Sequence, residues 1–283
     1  MSKIAIVSDS ACDLPPAVCV QYGIISVPLV LRFGNEEYLE SQVSREEFWR
    51  RALHPPPYPQ TSQVSTGMFE EAFAQQIEAG RHVICVTVTS KHSGTLNSAF
   101  AAAQRFPGKV TVFDTLSLSL SQAYQAIQAA EAAAQGHTVE QIIAMLESIR
   151  ARTQLIIALD TIEYLRRGGR ADQVMPVLER VVRVLSIKPL LRLVDGQLTL
   201  RGASRSREKC KKSIREELGK NLPAEMVVVL HTRLQDEASQ FADILAEAFH
   251  FPRNKVMVGE AGPVLSSHAG PGVLAAAVVQ AKT

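Results

Sequence analysis

Short, unbroken apolar runs that stop at small polar residues recur along the first half of the chain. Ile4–Val7 runs into Ser8-Asp9-Ser10, Val83–Val88 into Thr89-Ser90, and Val110–Phe113 into Asp114-Thr115. Each is rich in β-branched residues and apolar throughout, as expected of strands buried on both faces of a parallel sheet. Helical spacing appears between them. Phe69, Phe73 and Ile77 repeat at i, i+4 and i+8 over Met68–Ala79, with Ser65 or Thr66 able to cap the start and Gly80 where a C′ residue belongs. Leu96–Phe106 follows Ser93-Gly94-Thr95 and stops before Pro107-Gly108, and the Ala-rich Gln122–Gln135 ends at Gly136. This alternation predicts right-handed βαβ units with helices on both faces of an open parallel sheet. Strand and helix readings compete over Leu116–Ser121. Leu53–Gln60, with four prolines, reads as a loop inside this first pattern.

The texture changes after a helix over Val139–Arg152. A strand at Leu155–Leu159 is followed by helices at Ile162–Leu165 and Val174–Leu185 around Gly168-Gly169. Ile187–Val194 and Gln197–Arg201 read as a hairpin, because Asp195-Gly196 suits a tight reversing turn. A helix, a strand at Met226–Leu230, a helix at Leu234–Phe249 and a last strand at Lys255–Glu260 follow. The expected fold is therefore α/β. Residues 1–154 form a parallel-sheet domain, and residues 155–283 form an α+β domain. No internal repeat or low-complexity tract interrupts the chain.

Composition adds bounds. The 283 residues are 46% hydrophobic and 20% charged, with a net charge of +2. That balance is globular and gives no general footprint for nucleic acid. Cys12, Cys19, Cys85 and Cys210 form no C-x-x-C pair and no zinc spacing, which fits a reducing compartment. No 18-residue apolar stretch spans a membrane, and charge follows the N-terminus too soon for a signal-peptide core. The expected location is cytoplasmic.

Ligands of open α/β sheets bind outside the carboxyl ends of the strands. There the chain carries Thr61-Ser62-Gln63 and Ser93-Gly94-Thr95. A helix beginning at Ser93-Gly94-Thr95 would turn its free N–H groups outward, two hydroxyls would add donors, and Gly94 would admit a close ligand. The turn suits a carboxylate or phosphate, although Ser and Thr at such a place also serve as ordinary caps. Thr61-Ser62 carries more hydroxyls than capping the next helix requires. Past the last expected strand, Gly262-Pro263-Val264 and His268-Ala269-Gly270-Pro271-Gly272 read as a tight loop presenting one imidazole. Ser93 and His268 could also be the nucleophile and base of a hydrolase or acyl transferase, with Asp9 or Asp114 third, but no G-x-S-x-G elbow, H-E-x-x-H, Walker A loop or G-x-G-x-x-G is present. The basic stretches Arg166-Arg167-Gly168-Gly169-Arg170 and Arg201–Lys212 read as a solvated face or as a surface for an acidic partner. Nucleic acid would need interleaved aromatics, which they lack.

Together these motifs resemble the DegV family. The matching stretches are Ile4–Ser10 with Asp13-Leu14-Pro15, Thr61–Ser65, Ser93-Gly94-Thr95 with Ser98-Ala99, Tyr164–Arg170, Lys188–Leu191, Gly262-Pro263 and His268–Gly272. The resemblance implies a bacterial fatty-acid-binding carrier subunit of a fatty acid kinase, with one fatty acid such as palmitate or oleate between two domains. It implies that Thr61, Ser62, Ser93, Gly94, Thr95 and His268 hold the carboxylate. It also implies that Arg170 serves engagement of the kinase, which phosphorylates the bound carboxylate. The chain itself would then be no enzyme and would need no cofactor or metal. Its partners would be the fatty acid and the kinase, with no nucleic acid and at most a transient membrane-surface contact. The match is looser at Asp114–Ser121, which lacks the family's glycine, at Gly202-Ala203-Ser204-Arg205, and at Ala269, where Thr is more usual.

Overall fold

A computed structural model of the chain describes residues 3–54, 56–170, 173–182 and 187–282, the side chains of 181 and 182 excepted. The chain divides into two compact units. The first comprises residues 1–151 with Gly262–Val264, and the second comprises Arg152–Ala261 with residues 265–283. The short 262–264 stretch thus clusters with the first unit although the chain around it belongs to the second.

The first unit begins with β1 (Ile4–Asp9), α1 (Pro16–Tyr22) and β2 (Ile24–Val27). Next come β3 (Val30–Phe33), β4 (Glu36–Leu39), α2 (Arg45–Ala52) and β5 (Pro59–Ser62). The unit continues with α3 (Thr66–Glu78), β6 (His82–Thr87), α4 (Thr95–Ala103), β7 (Val110–Asp114), α5 (Ser119–Ala134) and α6 (Val139–Arg152). A parallel sheet of order β2-β1-β6-β7 forms its centre. The chain steps from β1 to β2 in one direction and from β6 to β7 in the other. Right-handed crossovers then require helices on opposite faces, and α1 packs with α5 while α3 packs with α4. Val7, Val83, Ile84, Cys85 and Val86 are fully buried, which explains why these strands read as solid apolar runs.

Caps fall where local chemistry places them. Ser65 accepts the Met68 N–H at the start of α3, and Gly80 (φ 76°) and Gly136 (φ 84°) follow α3 and α5 in the left-handed region. The Leu116–Ser121 stretch resolves into a turn and the first residues of α5, with Leu116 and Ser119 at positive φ. The four-proline segment expected to be only a loop ends in β5, which joins β3 and β4 in a small antiparallel sheet of order β4-β3-β5. No sequence signal announced that sheet, because its strands are four residues long and packed by Phe33, Phe48 and Trp49, which come partly from α2.

The second unit holds β8 (Thr153–Ala158), α7 (Glu163–Gly168), α8 (Met175–Val182), β9 (Lys188–Val194), β10 (Gln197–Ser204) and α9 (Arg207–Leu218). It ends with β11 (Ala224–His231), α10 (Gln235–Ala248), β12 (Met257–Glu260), α11 (Pro263–Ala269) and β13 (Leu274–Gln280). The sheet order is β10-β9-β8-β13-β11-β12, antiparallel except for β11 with β12. Asp195 and Gly196 both take positive φ, the requirement of a type I′ reversal. Cys210, Ile214, Phe241 and Leu245 from α9 and α10 bury one sheet face. Two expectations change here. β12 is not the last strand, since β13 sits at the centre of the sheet. Of the stretch expected to be a tight loop, Pro263–Ala269 forms the helix α11 with His268 in its last turn, while Gly270-Pro271-Gly272 remains a turn. The alanines of Leu-Ala-Ala-Ala-Val-Val carry no β propensity, and only the strands on either side make that stretch a strand. The end of the expected Val174–Leu185 helix lies outside the described residues.

Candidate functional site

Between β1 and β6 the chain reverses its direction of travel across the sheet, the place where open α/β sheets present a crevice. Asp9 fills it. Its carboxylate accepts the Val88 N–H at 2.7 Å, the Ala11 N–H at 3.1 Å and the Gln122 amide at 3.1 Å. Burial nonetheless pushes it up to about 6, against those hydrogen bonds. Asp114 accepts the Leu116 N–H at 2.9 Å and the Ser90 N–H at 3.3 Å. Both carboxylates thus accept backbone N–H groups of the turns that follow the strands.

The Ser93-Gly94-Thr95 turn opens α4 as expected. The Ser93 and Thr95 hydroxyls lie 2.8 Å apart, and the Thr95 N–H donates to Ser93 Oγ at 3.2 Å. Ser93 thus satisfies one donor of the first turn. Helical geometry leaves Leu96 and Asn97 without intrahelical acceptors for their N–H groups. Gly94, the N-cap, offers no side chain to them. Thr95 is fully buried, while Ser93 and Gly94 are half-buried. Gly94 does not need its glycine for backbone reasons, since its φ is −78°. The space a side chain at 94 would take is occupied by the carboxamide of Gln63. A Cβ on Gly94 would overlap Gln63 Oε1 and lie 2.7 Å from Gln63 Cδ. Gln63 Nε2 meanwhile donates to Ser98 Oγ, one turn into α4, at 2.8 Å. Gln63 belongs to the Thr61-Ser62-Gln63 motif, so two of the motifs read from the sequence meet at Gly94. Thr61 and Ser62 end β5, paired opposite Leu31 and Val30. Successive strand residues point to opposite faces, so only one of the two hydroxyls can face a given ligand.

A second polar cluster in the same unit was not anticipated. Asp13 accepts the Gly262 N–H at 2.9 Å, and Glu40 accepts the Val264 N–H at 2.8 Å. Ser119 donates to Asp13, and Ser10 donates to Glu40 while accepting the Leu29 N–H at 2.9 Å. A Cβ on Gly262 would come within 2.8 Å of oxygens of both carboxyls, so the two are close neighbours. Burial first, and mutual repulsion at Glu40, push both up to about 7. Asp13 and Glu40 fix the start of α11 by supplying acceptors to N–H groups that a helix start leaves free.

In the second unit the Tyr164–Arg170 and His268–Gly272 motifs come together. A Cβ on Gly168 would collide with His268 Nδ1 and lie 3.0 Å from its Cε1, and a Cβ on Gly270 would lie 2.5 Å from the Tyr164 ring. Thr232 ties the loop after α11, donating to the Gly270 carbonyl at 2.7 Å and accepting the Val273 N–H at 2.9 Å. His268 is half-buried in the last turn of α11. Arg170 is half-buried just beyond Gly169, the left-handed residue that ends α7. Thr61, Ser62, Ser93, Gly94 and Thr95 thus belong to the first unit, and His268 and Arg170 to the second. Gln63, Tyr164 and Gly168 join the candidate set. Their motif membership was visible in the sequence, but their packing was not.

Most of the basic stretch is neutralised. Arg207 pairs with Asp160 and Glu237, Lys211 with Glu208 and Glu237, Arg201 with Glu217, and Arg166 and Arg167 with Glu163. This is a face laced with ion pairs, the blander of the two readings. Among the described residues no group of three or more His, Cys, Asp or Glu is placed to hold a metal ion, and no helix is long and apolar enough to cross a membrane. The four cysteines are buried and free.

Fold and site together define a two-unit α/β protein with hydroxyl-bearing turns at the carboxyl side of its parallel sheet and glycines shaped around motif side chains. The chain belongs to the DegV family: residues 3–281 match the family model described as "Uncharacterised protein, DegV family". It is 32% identical to a DegV domain-containing protein of Deinococcus radiodurans, over 98% of each chain, and 31% identical to one of Halalkalibacterium halodurans, over 96% of each. Among solved structures it is similar to a DegV family protein from Thermus thermophilus described by its fatty acid binding, at 28% identity and TM-score 0.89 over 99% of this chain and 100% of that one. It is also similar to a stearic acid-binding protein from Eubacterium ventriosum, at 26% identity and TM-score 0.86 over 99% of each.

Proposed function

We propose that this protein binds one long-chain fatty acid and presents it as a carrier, without catalysing a reaction on it. The observation that carries the reading is the Ser93-Gly94-Thr95 turn. Two hydroxyls 2.8 Å apart stand at a helix start whose N-cap supplies no side chain, which suits a carboxylate. The fatty acid binding of the Thermus and Eubacterium proteins supports the choice of ligand. In this reading the carboxylate is held by Ser93, Thr95 and the Gly94 backbone, by Thr61 or Ser62, and by His268. Strand alternation carried one residue past β5 favours Thr61, which lies on the side taken by Gln63. Each buried CH₂ contributes about 0.8 kcal/mol, so a sixteen-carbon chain such as palmitate gains on the order of 10 kcal/mol before ordering costs. A separate fatty acid kinase would then phosphorylate the carboxylate, with Arg170 at the docking surface. A serine hydrolase is the weaker reading, because Ser93 sits in no G-x-S-x-G elbow and its Oγ is engaged by Thr95.

Protein purified from a bacterial host should yield about one acyl chain per polypeptide on solvent extraction and mass spectrometry. Absence of any acyl chain, with no uptake of added palmitate or oleate, would sink the proposal. Ser93→Ala should weaken binding by about 1–3 kcal/mol through the donor it removes from a desolvated head group.

A further inference from the structure

Two motifs that the chain keeps 30 residues apart meet through one side chain. Gln63 leaves the end of β5, on the small antiparallel sheet, and its carboxamide lies on α4, which packs on β6 and β7 of the parallel sheet. The Nε2 end is held by Ser98 Oγ at 2.8 Å, and Ser98 is 5% exposed. The Oε1 end occupies the space of a residue-94 side chain. Gly94 has an ordinary φ of −78°, a value alanine adopts freely. The backbone therefore gives no reason for glycine at 94, and the space a side chain there would take is filled by Gln63. We propose that Gln63 is a positioning residue for ligand binding: seated on Gly94 and Ser98, it sets the spacing between the Thr61 hydroxyl and the Ser93–Thr95 turn.

This inference rests on the carboxylate-binding reading and deepens it. A head group bridged by hydroxyls from two sheets needs those hydroxyls at a fixed separation, and a displacement of about 1 Å is enough to weaken such a site. In this reading Gln63 bears on the head group, since its hydrogen bond to Ser98 and its close approach to Gly94 are both made at the start of α4. Its loss should therefore cost carboxylate recognition while sparing the acyl chain.

The experiment is a double-mutant cycle of Gln63→Ala and Gly94→Ala, read by thermal melting of the ligand-free chains and by titration with palmitate and with hexadecanol. Gln63→Ala should weaken palmitate binding about tenfold, equivalent to about 1.4 kcal/mol, and leave hexadecanol binding unchanged. Gly94→Ala, whose methyl displaces Gln63, should do the same in the parent chain and add nothing in the Gln63→Ala background, where the space is open. In melting, Gly94→Ala should lower Tm in the parent and not in the Gln63→Ala chain. Equal effects of Gly94→Ala in both backgrounds, equal loss of palmitate and hexadecanol, or palmitate binding untouched by Gln63→Ala would each overturn the proposal. If the parent chain binds neither lipid, the carrier reading fails instead, and the melting arm still tests the Gln63–Gly94 fit by itself.

Discussion

At the scale of single residues, a recurring device is a glycine whose missing side chain is replaced by a motif side chain from elsewhere. Gln63 stands on Gly94, His268 on Gly168, and Tyr164 on Gly270. Gly168→Ala should accordingly displace the imidazole of His268, and weaken fatty acid binding about tenfold with little change in Tm, as checked by calorimetric titration and melting. The Asp13–Glu40 pair makes a different prediction. Both carboxyls titrate higher in the folded chain, at about 7, than their ordinary values of 3.8 and 4.5. The folded state therefore binds more protons than the unfolded chain between those values, so the stability they contribute is full below about pH 4 and is lost as pH rises through 7. Asp9 adds to the repulsion and Arg45 opposes it at Asp13. Glu40→Gln keeps an acceptor for the Val264 N–H and removes the charge. It should stabilise the protein relative to the parent at pH 8 by on the order of 2 kcal/mol more than at pH 5, measured by urea unfolding at both values. An equal difference at the two pH values would show that Glu40 does not titrate in this range.

At the scale of elements, local signals and tertiary packing divide the labour unevenly. The start of α3 is a local event: Ser65 caps Met68 from an exposed position, and Ser65→Ala should cost about 1 kcal/mol in denaturant unfolding without touching ligand affinity. The start of α4 depends on more than its own residues, because Ser93 caps one N–H while Gln63 arrives from another sheet. α11 lies further in that direction. Gly262-Pro263 reads locally as a turn, but Asp13 and Glu40, more than 200 residues earlier in the chain, supply acceptors at its start. β13 is central to its sheet although Ala275-Ala276-Ala277 has no preference for a strand, because β8 and β11 pair with it on both sides.

At the scale of the whole molecule, charge bears on partners. The net charge is +2, and the cations of α9 and its neighbours are mostly bound to carboxylates; Arg201 and Lys220 hold Glu217 down to about 2. An electrophoretic shift assay at physiological salt should show no retardation of duplex DNA or of RNA, since few phosphate contacts remain on offer. A steeply salt-dependent shift would restore the polyanion reading. Arg170 is the cation proposed for the partner kinase. Arg170→Ala should keep its bound fatty acid and lose acyl phosphate formation when the kinase is supplied.

Much of the fold is legible in the sequence alone. The apolar runs marked the parallel strands because burial on both faces removes every polar position. Asp195-Gly196 marked a reversal because both residues tolerate positive φ, and Ser65 and Gly80 marked the ends of α3 because free N–H and C=O groups need partners. The order of Thr61-Ser62-Gln63, Ser93-Gly94-Thr95 and His268–Gly272 was enough to suggest the family to which residues 3–281 belong. Tertiary structure alone decided which glycine faces which side chain, that Asp9 closes the crevice between β1 and β6, and that residues 262–264 cluster with the first unit. These are facts about groups far apart in the chain. Sequence patterns report what a residue does to its own backbone and to neighbours within a turn or a strand repeat, and they do not report which distant atoms will share its space.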